Sequence, residues 1–590
     1  MRFSRISKAL GVAAVSALAL SACASTDNGG DGDSGSTKSI SVAELNTFSS
    51  LNTDSSSGNT DINSKIATAT HNGFYSITDQ LEVKHNDDFG SFEKISDNPL
   101  KVKYTVNEDQ QWSDGNKIDK GDLLLAWASQ SGHFNGEGED GEQFFDYAGD
   151  SEGLGLTGMP EFSDDGRTMT LTYSKPYIDW ETAFDVRLPA HVVAKKAGMS
   201  EDDLVNTLTS AKPGEKNEQL SKIADAWNTG FDTTKMPDDK DLLVASGPYK
   251  IKDIVENQSV TLEKNDKYTG DAPKIDEITM RSIGDANGQL QALNNGEVQV
   301  ISPQANVDTI QQLKDADGVK TLTGDQLLYD HVDLNFNSDV FKDENTRKAF
   351  LLTIPRQSIV DKLMKPMNSD AEVLDSQVYV SSQDEYKDAV EKNDSSEFPS
   401  SDMDANISQA KELLGGKTPT VRLLYNSGNK ARADIFQMIQ ESAKKAGFNV
   451  EDLGAADWSK KLPGGDYDAS LFGWTSPGVG HSSYGQIFAA GGGGNYNGYD
   501  NEDVNKKADE IRTTVGDDAK VKDLAIGIDK DLFDDSYGLP LFQQAGVVGV
   551  KDNVENVTFN PGSTQVWWNV EKWDIKTDPV LNPPRTVAST

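Results

Sequence analysis

Apolar and polar positions alternate with period two in several short stretches of the chain. That is the pattern of a strand whose side chains point alternately to two faces. In Leu100–Val106 the residues Leu100, Val102, Tyr104 and Val106 share one face, and Lys101, Lys103 and Thr105 share the other. The same reading predicts strands at 168–173, entered through an Asp165-Gly166 turn, at 332–336, at Thr420–Tyr425, and at 539–542 and 566–569 near the end. A strand also starts at Ser39 and loosens by Ser49. Gly247-Pro248-Tyr249 opens a hairpin of Tyr249–Val255 with Ser259–Lys264 across Glu256-Asn257-Gln258.

Helical spacing marks other segments. Residues 62–75 predict a helix running into His71-Asn72-Gly73-Phe74-Tyr75. Asp119 is placed to cap a helix with Asp122 at N3, Ile118 and Leu123 forming the staple around it. Helices are also predicted to start at Leu188-Pro189-Ala190-His191, around Leu290 with a stop at Gly296, at 345–352, and from Pro355 to about Met364. Thr420–Tyr425, the helix Lys430–Ala446 capped by Gly447, and a strand at 448–451 form a βαβ unit, hence parallel strands. Residues 212–240 are polar and irregular.

The stretch 466–484, DYDASLFGWTSPGVGHSSY, gathers these signals. Tyr467, Ala469, Leu471 and Gly473 alternate with Asp468, Ser470, Phe472 and Trp474 before a Gly/Ser/Pro-rich loop begins. A strand ending in Gly and a large aromatic brings main chain and ring up to a ligand together, or buries a core Trp.

Composition and charge narrow the function. A chain of 590 residues predicts three or four domains or subdomains. Its formal net charge of -39 repels phosphate backbones, so no nucleic-acid partner is expected. Arg2, Arg5 and Lys8 precede an apolar run from Ala9 to Leu20 that is short for a membrane span. Leu20-Ser21-Ala22-Cys23 follows and holds the chain's single cysteine. This resembles a bacterial lipobox, which implies cleavage before Cys23 and lipidation of its thiol. Residues 24–39 then read as a flexible polar tether. With its one thiol lipidated, the chain forms no disulfide.

Candidate chemistry is sparse. Gly153-Leu154-Gly155-Leu156-Thr157-Gly158 matches a dinucleotide fingerprint, but no strand precedes it and Met159-Pro160 follows, so a loop is expected. Gly415-Gly416-Lys417-Thr418 mimics a phosphate loop, but Lys411 stands where its first Gly belongs. Gly32-Asp33-Ser34-Gly35 lies in the tether with no base to activate the serine. The six histidines, 71, 85, 133, 191, 331 and 481, show no ligand spacing. No metal, cofactor or catalytic residue is expected; the chain reads as a binding protein and not an enzyme.

The order of motifs resembles a known family. Trp112-Ser113-Asp114-Gly115 with Asp119-Lys120-Gly121-Asp122, Gly247-Pro248-Tyr249 with Val260-Thr261-Leu262-Glu263-Lys264-Asn265 and Tyr268, Leu334-Asn335-Phe336-Asn337 through Arg347-Lys348-Ala349-Phe350, and Tyr467-Asp468 with Gly473-Trp474 stand in the order seen in extracellular solute-binding proteins of family 5. Gly491 to Gly494 with Asn495-Tyr496-Asn497-Gly498-Tyr499 is similar to an actinobacterial branch usually labelled peptide-binding. The resemblance implies a two-lobed α/β fold of the periplasmic-binding-protein type (type II, three subdomains) with a hinge and an interlobe cleft. Residues 1–22 would be the signal peptide and 23–39 the lipidated Cys and tether. Lobe I would comprise 40–75, 186–308 and 543–590, with 76–185 inserted in it, and lobe II 309–542.

The implied function is a lipid-anchored monomer on the outer face of the cell membrane, held there by its anchor alone. It captures peptides for an ABC permease and its ATPase. Gly473, Trp474, Thr475 and Ser476 would face Asn72, Gly73 and Phe74 across the cleft, with Tyr484, Asn495 and Tyr496 as further candidates. In peptide-binding members an Asp three residues after the Trp holds the peptide amino terminus; here that position is Pro477. The same fold binding an oligosaccharide or other polar solute is the alternative, and a secreted hydrolase or wall scaffold the more distant ones.

Overall fold

The computed structural model describes residues 37–136, 141–476 and 479–576. Cys23, the leader, the tether as far as Ser36, Pro477 and the tail from 577 lie outside the described residues. From Lys38 onward the chain forms one compact unit.

Its frame is a ten-stranded sheet. From edge to edge the order is Asn449–Asp452, Thr420–Tyr425, Ala469–Thr475, Val319–Leu334, Gly538–Lys551, Val300–Ile301, Ser39–Glu44, Glu277–Ser282, Ser259–Lys264 and Tyr249–Val255. The two central strands are long, 16 and 14 residues, and antiparallel. They pair from Val319 opposite Lys551 to Asp325 opposite Ala545, lose register, and resume at Tyr329 opposite Gln543. Such an irregularity bends a strand and raises its local twist. On one side of this break lies the sheet half with Ser39–Glu44 parallel to Glu277–Ser282. On the other, Thr420–Tyr425 runs parallel to both of its neighbours, as the βαβ pattern predicts.

Each half has its own core. Ile40, Val42, Leu262, Ile278, Met280, Val550, Trp567 and Trp573 pack on one half. Val332, Leu334, Phe350, Val421, Leu423, Ile435, Ile439 and Leu471 pack on the other. A third core joins a four-stranded sheet (Gly90–Asp97, Leu100–Val106, Thr168–Thr172, Glu161–Phe162) to the helices Lys120–Gln130, Ala190–Lys196, Glu201–Ser210 and Glu218–Thr229. Asp119 caps the first of these helices in the reciprocal box that the sequence predicts.

Four local expectations are corrected. Residues 566–569 are not a strand but part of a 3₁₀ segment, Gln565–Lys572. Val566, Trp567 and Val570 are all buried there, a helical spacing, and Trp567 donates its indole N–H to the buried Glu44 at 2.8 Å. Within the irregular 212–240 the helix Glu218–Thr229 forms, with Leu220, Ile223, Ala224 and Trp227 as its buried face and Asn217 as cap. The predicted loop at 153–158 contains a single helical turn, Glu152–Gly155. The helix predicted over 62–75 ends at Thr70, leaving Asn72, Gly73 and Phe74 in extended chain beyond its cap.

Candidate ligand site

The strand Ala469–Thr475 pairs with Leu334 to Leu328 along its whole length, but with Thr420–Tyr425 only at Ala469, Ser470 and Leu471. From Phe472 to Thr475 one strand edge has no partner strand among the described residues. Alternate main-chain N–H and C=O groups therefore point away from the sheet at this end.

Gly473 is required where it stands. A Cβ there would lie 2.9 Å from both Arg432 Nη2 and Asp330 Oδ1. Those two side chains form a buried bidentate pair, Nε to Oδ2 at 3.1 Å and Nη2 to Oδ1 at 2.9 Å, and Gln544 adds a donor to Asp330 at 3.0 Å. Asp330 and Gln544 flank the register break, so the pair ties the strand end to the bend.

Trp474 is half-buried in an aromatic stack. Its ring is nearly parallel to Tyr496 (6.0 Å, 7°) and to His331 (6.3 Å, 1°), and edge-on to Phe472 (5.3 Å). Gly494 lets the following loop lie on the indole, since a Cβ there would be 3.2 Å from Trp474 Cη2. Thr475 is exposed and Ser476 buried, and both line a small cavity with Tyr484. The sequence-predicted residues Gly473, Trp474, Thr475, Ser476, Tyr484 and Tyr496 thus come together.

Asn495 is adjacent but turned inward. Its amide donates to the carbonyls of Ala489 (2.9 Å) and Tyr499 (2.7 Å), and its Oδ1 accepts from the Tyr499 N–H, so it braces its loop. Phe74 is likewise a packing residue. Its ring is fully buried against Phe89 (5.0 Å), Tyr104 (5.3 Å) and Phe184 (6.2 Å) and offers no surface to a ligand. Gly73 lies against Asp185, whose carboxylate leaves no room for a Cβ. The hydrogen bonds of Asn72 run to Ser246 and Asn86, and its own Nδ2, in a side chain 8% exposed, has no partner.

Residues that the sequence did not single out join the region of the four-stranded sheet to residues 481–512. Asp179 accepts from the backbone N–H groups of His481 (3.0 Å) and Ser482 (2.8 Å). The Tyr177 hydroxyl bonds Ser482 Oγ at 3.2 Å, the Ile178 N–H donates to the Arg512 carbonyl at 2.9 Å, and Arg512 pairs with Glu152. Leu81, in a left-handed turn (φ 60°), packs against the cluster of Leu327, Tyr329, Leu374 and Val380. Burial pushes the Asp179 carboxyl up, but the hydrogen bonds from His481 and Ser482 outweigh it and hold the group below its ordinary value. No local signal marks these residues, because the contacts join positions some 300 apart.

Beside Asn72 lies a charged recess. Arg187 is 37% exposed and meets Asp185 at 3.6 Å. Burial works to lower its pKa, but Asp185 and Asp54 outweigh that and hold the guanidinium firmly charged. Burial and then the Arg187 charge depress His71 to about 3. Asp54 is raised by its burial despite the pull of Arg187.

Comparison with known proteins decides the family. Residues 89–496 match the description "Bacterial extracellular solute-binding proteins, family 5 Middle", well over half of the chain. The chain belongs to the family 5 extracellular solute-binding proteins. An uncharacterized lipoprotein of Mycobacterium tuberculosis is 24% identical over 514 residues, 84% of this chain and 85% of the relative. The oligopeptide-binding protein AppA of Bacillus subtilis is 26% identical over 358 residues, 56% of this chain and 62% of AppA. Solved in complex with a nonapeptide, AppA superposes with a TM-score of 0.68, covering 92% of this chain and 100% of that one at 19% identity. The periplasmic EDTA-binding protein EppA superposes with a TM-score of 0.78 at 22% identity, covering 92% and 97%. The family 5 fold is thus the two-lobed α/β fold, and the two long strands with their register break run from one sheet half to the other. Among the described residues no helix is long and apolar enough to cross a membrane, and no group of three or more His, Cys, Asp and Glu is placed to hold a metal.

Proposed function

We propose that this family 5 protein is a lipid-anchored receptor on the outer face of the cell membrane that takes a peptide between its lobes and hands it to an ABC permease and ATPase. The observation that carries the peptide reading is the unpaired edge of 472–475 beside the Trp474 ring. An extended peptide can add to such an edge through main-chain hydrogen bonds, largely independent of its side chains. The relative named as an oligopeptide-binding protein supports the same class of solute. Anchoring through Cys23 is supported by the Leu20-Ser21-Ala22-Cys23 motif and by a relative named as a lipoprotein.

The lobes follow the two sheet halves: 40–75, 186–308 and 543 onward on one side, 309–542 on the other, with 76–185 inserted. The shared core of Glu218–Thr229 with the four-stranded sheet favours extending the inserted subdomain through that helix. Ligand then favours the closed arrangement by binding both lobes at once. The Asp179 and Leu81 contacts stabilise that arrangement. A second reading, a polar anionic solute, draws on the half-exposed Arg187 and on the EDTA-binding neighbour.

Mass spectrometry of the protein isolated under native conditions tests the proposal. A ladder of peptides is the expected result; one defined sugar or one small polyanion overturns the peptide reading.

A further inference from the structure

Immediately beyond the unpaired strand edge, a cavity lies under Thr475 and Ser476, walled by Tyr329, Gln377, Ser483 and Tyr484. Three buried polar atoms in its wall have no hydrogen-bond partner: Gln377 Nε2, Ser476 Oγ and Ser483 Oγ. Gln377 and Ser476 are each only 5% exposed. Buried polar groups in folded proteins are otherwise nearly all paired, so three orphans around one cavity mark a place built to receive a polar atom.

The chemistry of that atom follows from the wall. The two phenols are already committed, Tyr329 donating to the Gln377 carbonyl (3.3 Å) and Tyr484 to the Val378 carbonyl (3.4 Å). Gln377 Nε2 can only donate, and each serine can donate or accept. The incoming atom is therefore a hydrogen-bond acceptor. Among the described residues the lining contains no Asp, Glu, Lys, Arg or His, so a charged group entering it would lose its hydration with no countercharge there. The cavity has room for about one water-sized group, enough for an oxygen and too small for a side chain.

Resting on the peptide reading above, we propose that this cavity is a terminal subsite for an uncharged, oxygen-bearing end group, such as the carbonyl of an acylated amino terminus or an amidated carboxyl terminus. Ser476 directly follows the strand edge, so a peptide lying along 472–475 leads its end into the cavity. The wall selects against a free ammonium by presenting donors, and against a free carboxylate by offering no cation.

Calorimetry with one peptide in three forms, free-ended, N-acetylated and C-amidated, tests the assignment. One blocked form should bind about tenfold more tightly than the free-ended peptide, and which form it is identifies the end received. Gln377→Leu should collapse that preference. Ser476→Ala, which removes a single oxygen, should reduce it in a chain whose thermal melt is unchanged. Equal affinity for all three forms overturns the subsite while leaving the peptide reading intact. Binding of none of them overturns the peptide reading and the subsite with it.

Discussion

At the scale of single residues, Trp474 is the clearest test of the site. Its ring lies against Phe472, Tyr496 and His331 without being fully buried, so Trp474→Ala removes a wall without hollowing a core. Stability should fall by about 1–2 kcal/mol, the scale of lost aromatic contacts, while peptide affinity falls at least about tenfold, as for a central aromatic anchor. Calorimetry beside a thermal melt separates the two effects. His71 sets a second expectation, in pH. Its folded pKa is depressed to about 3, so its contribution is complete above the ordinary histidine value of about 6.5 and is lost as pH falls below it. Between pH 6.5 and 5 this costs the wild type about 2 kcal/mol relative to His71→Gln, read as a difference of melting temperatures between the two chains. Using the difference cancels the opposite trend from the many carboxylates. Gly473 and Trp474 were legible because strand alternation and a following loop are local signals. The inward placement of Asn495 and Phe74 was not legible, because a polar loop residue and an aromatic after Gly look the same in sequence whether they face a ligand, a carbonyl or a core.

At the scale of elements, local pattern sufficed for the hairpin, the capped helix at Asp119 and the βαβ unit. It failed where context decides. Glu218–Thr229 carries its five apolar residues among polar and charged ones, and Gln565–Lys572 is tied through Trp567 to the Glu44 carboxylate more than 500 positions away. The bridging loop around Asp179 belongs to this class. Its carboxylate accepts the backbone N–H groups of His481 and Ser482, which under the proposed lobe division ties the inserted subdomain to lobe II. Asp179→Ala should leave the melt within about 1 kcal/mol and shift the population toward an open form. A radius of gyration from small-angle scattering should rise, and peptide dissociation should quicken by about three- to tenfold, since the bonds stabilise the closed state alone. An unchanged scattering curve and off-rate would remove the loop from the closing mechanism. Because the folded pKa of Asp179 is depressed, the contact is complete above the ordinary carboxylate range and weakens only as pH falls through it.

At the scale of the whole molecule, the division of labour is between a folded body and an attachment point. The body begins at Lys38, and Cys23 precedes it by a polar stretch rich in Gly, Ser and Asp. A polypeptide this acidic gains nothing from an anionic lipid surface, so the attachment proposed above would rest on acyl chains, each buried methylene contributing about 0.8 kcal/mol. One such chain alone holds a protein only reversibly; a diacylglycerol thioether carries two or more and holds it stably. Under that proposal Cys23→Ser would keep the apolar leader and remove the thiol proposed to take the lipid. The expected outcome is protein in the culture medium instead of the membrane fraction, with the same thermal melt and the same peptide affinity as the wild type, because no ligand-site residue lies before Lys38. Retention of Cys23→Ser in the membrane fraction after a high-salt wash would show that something other than the lipid holds the receptor in place.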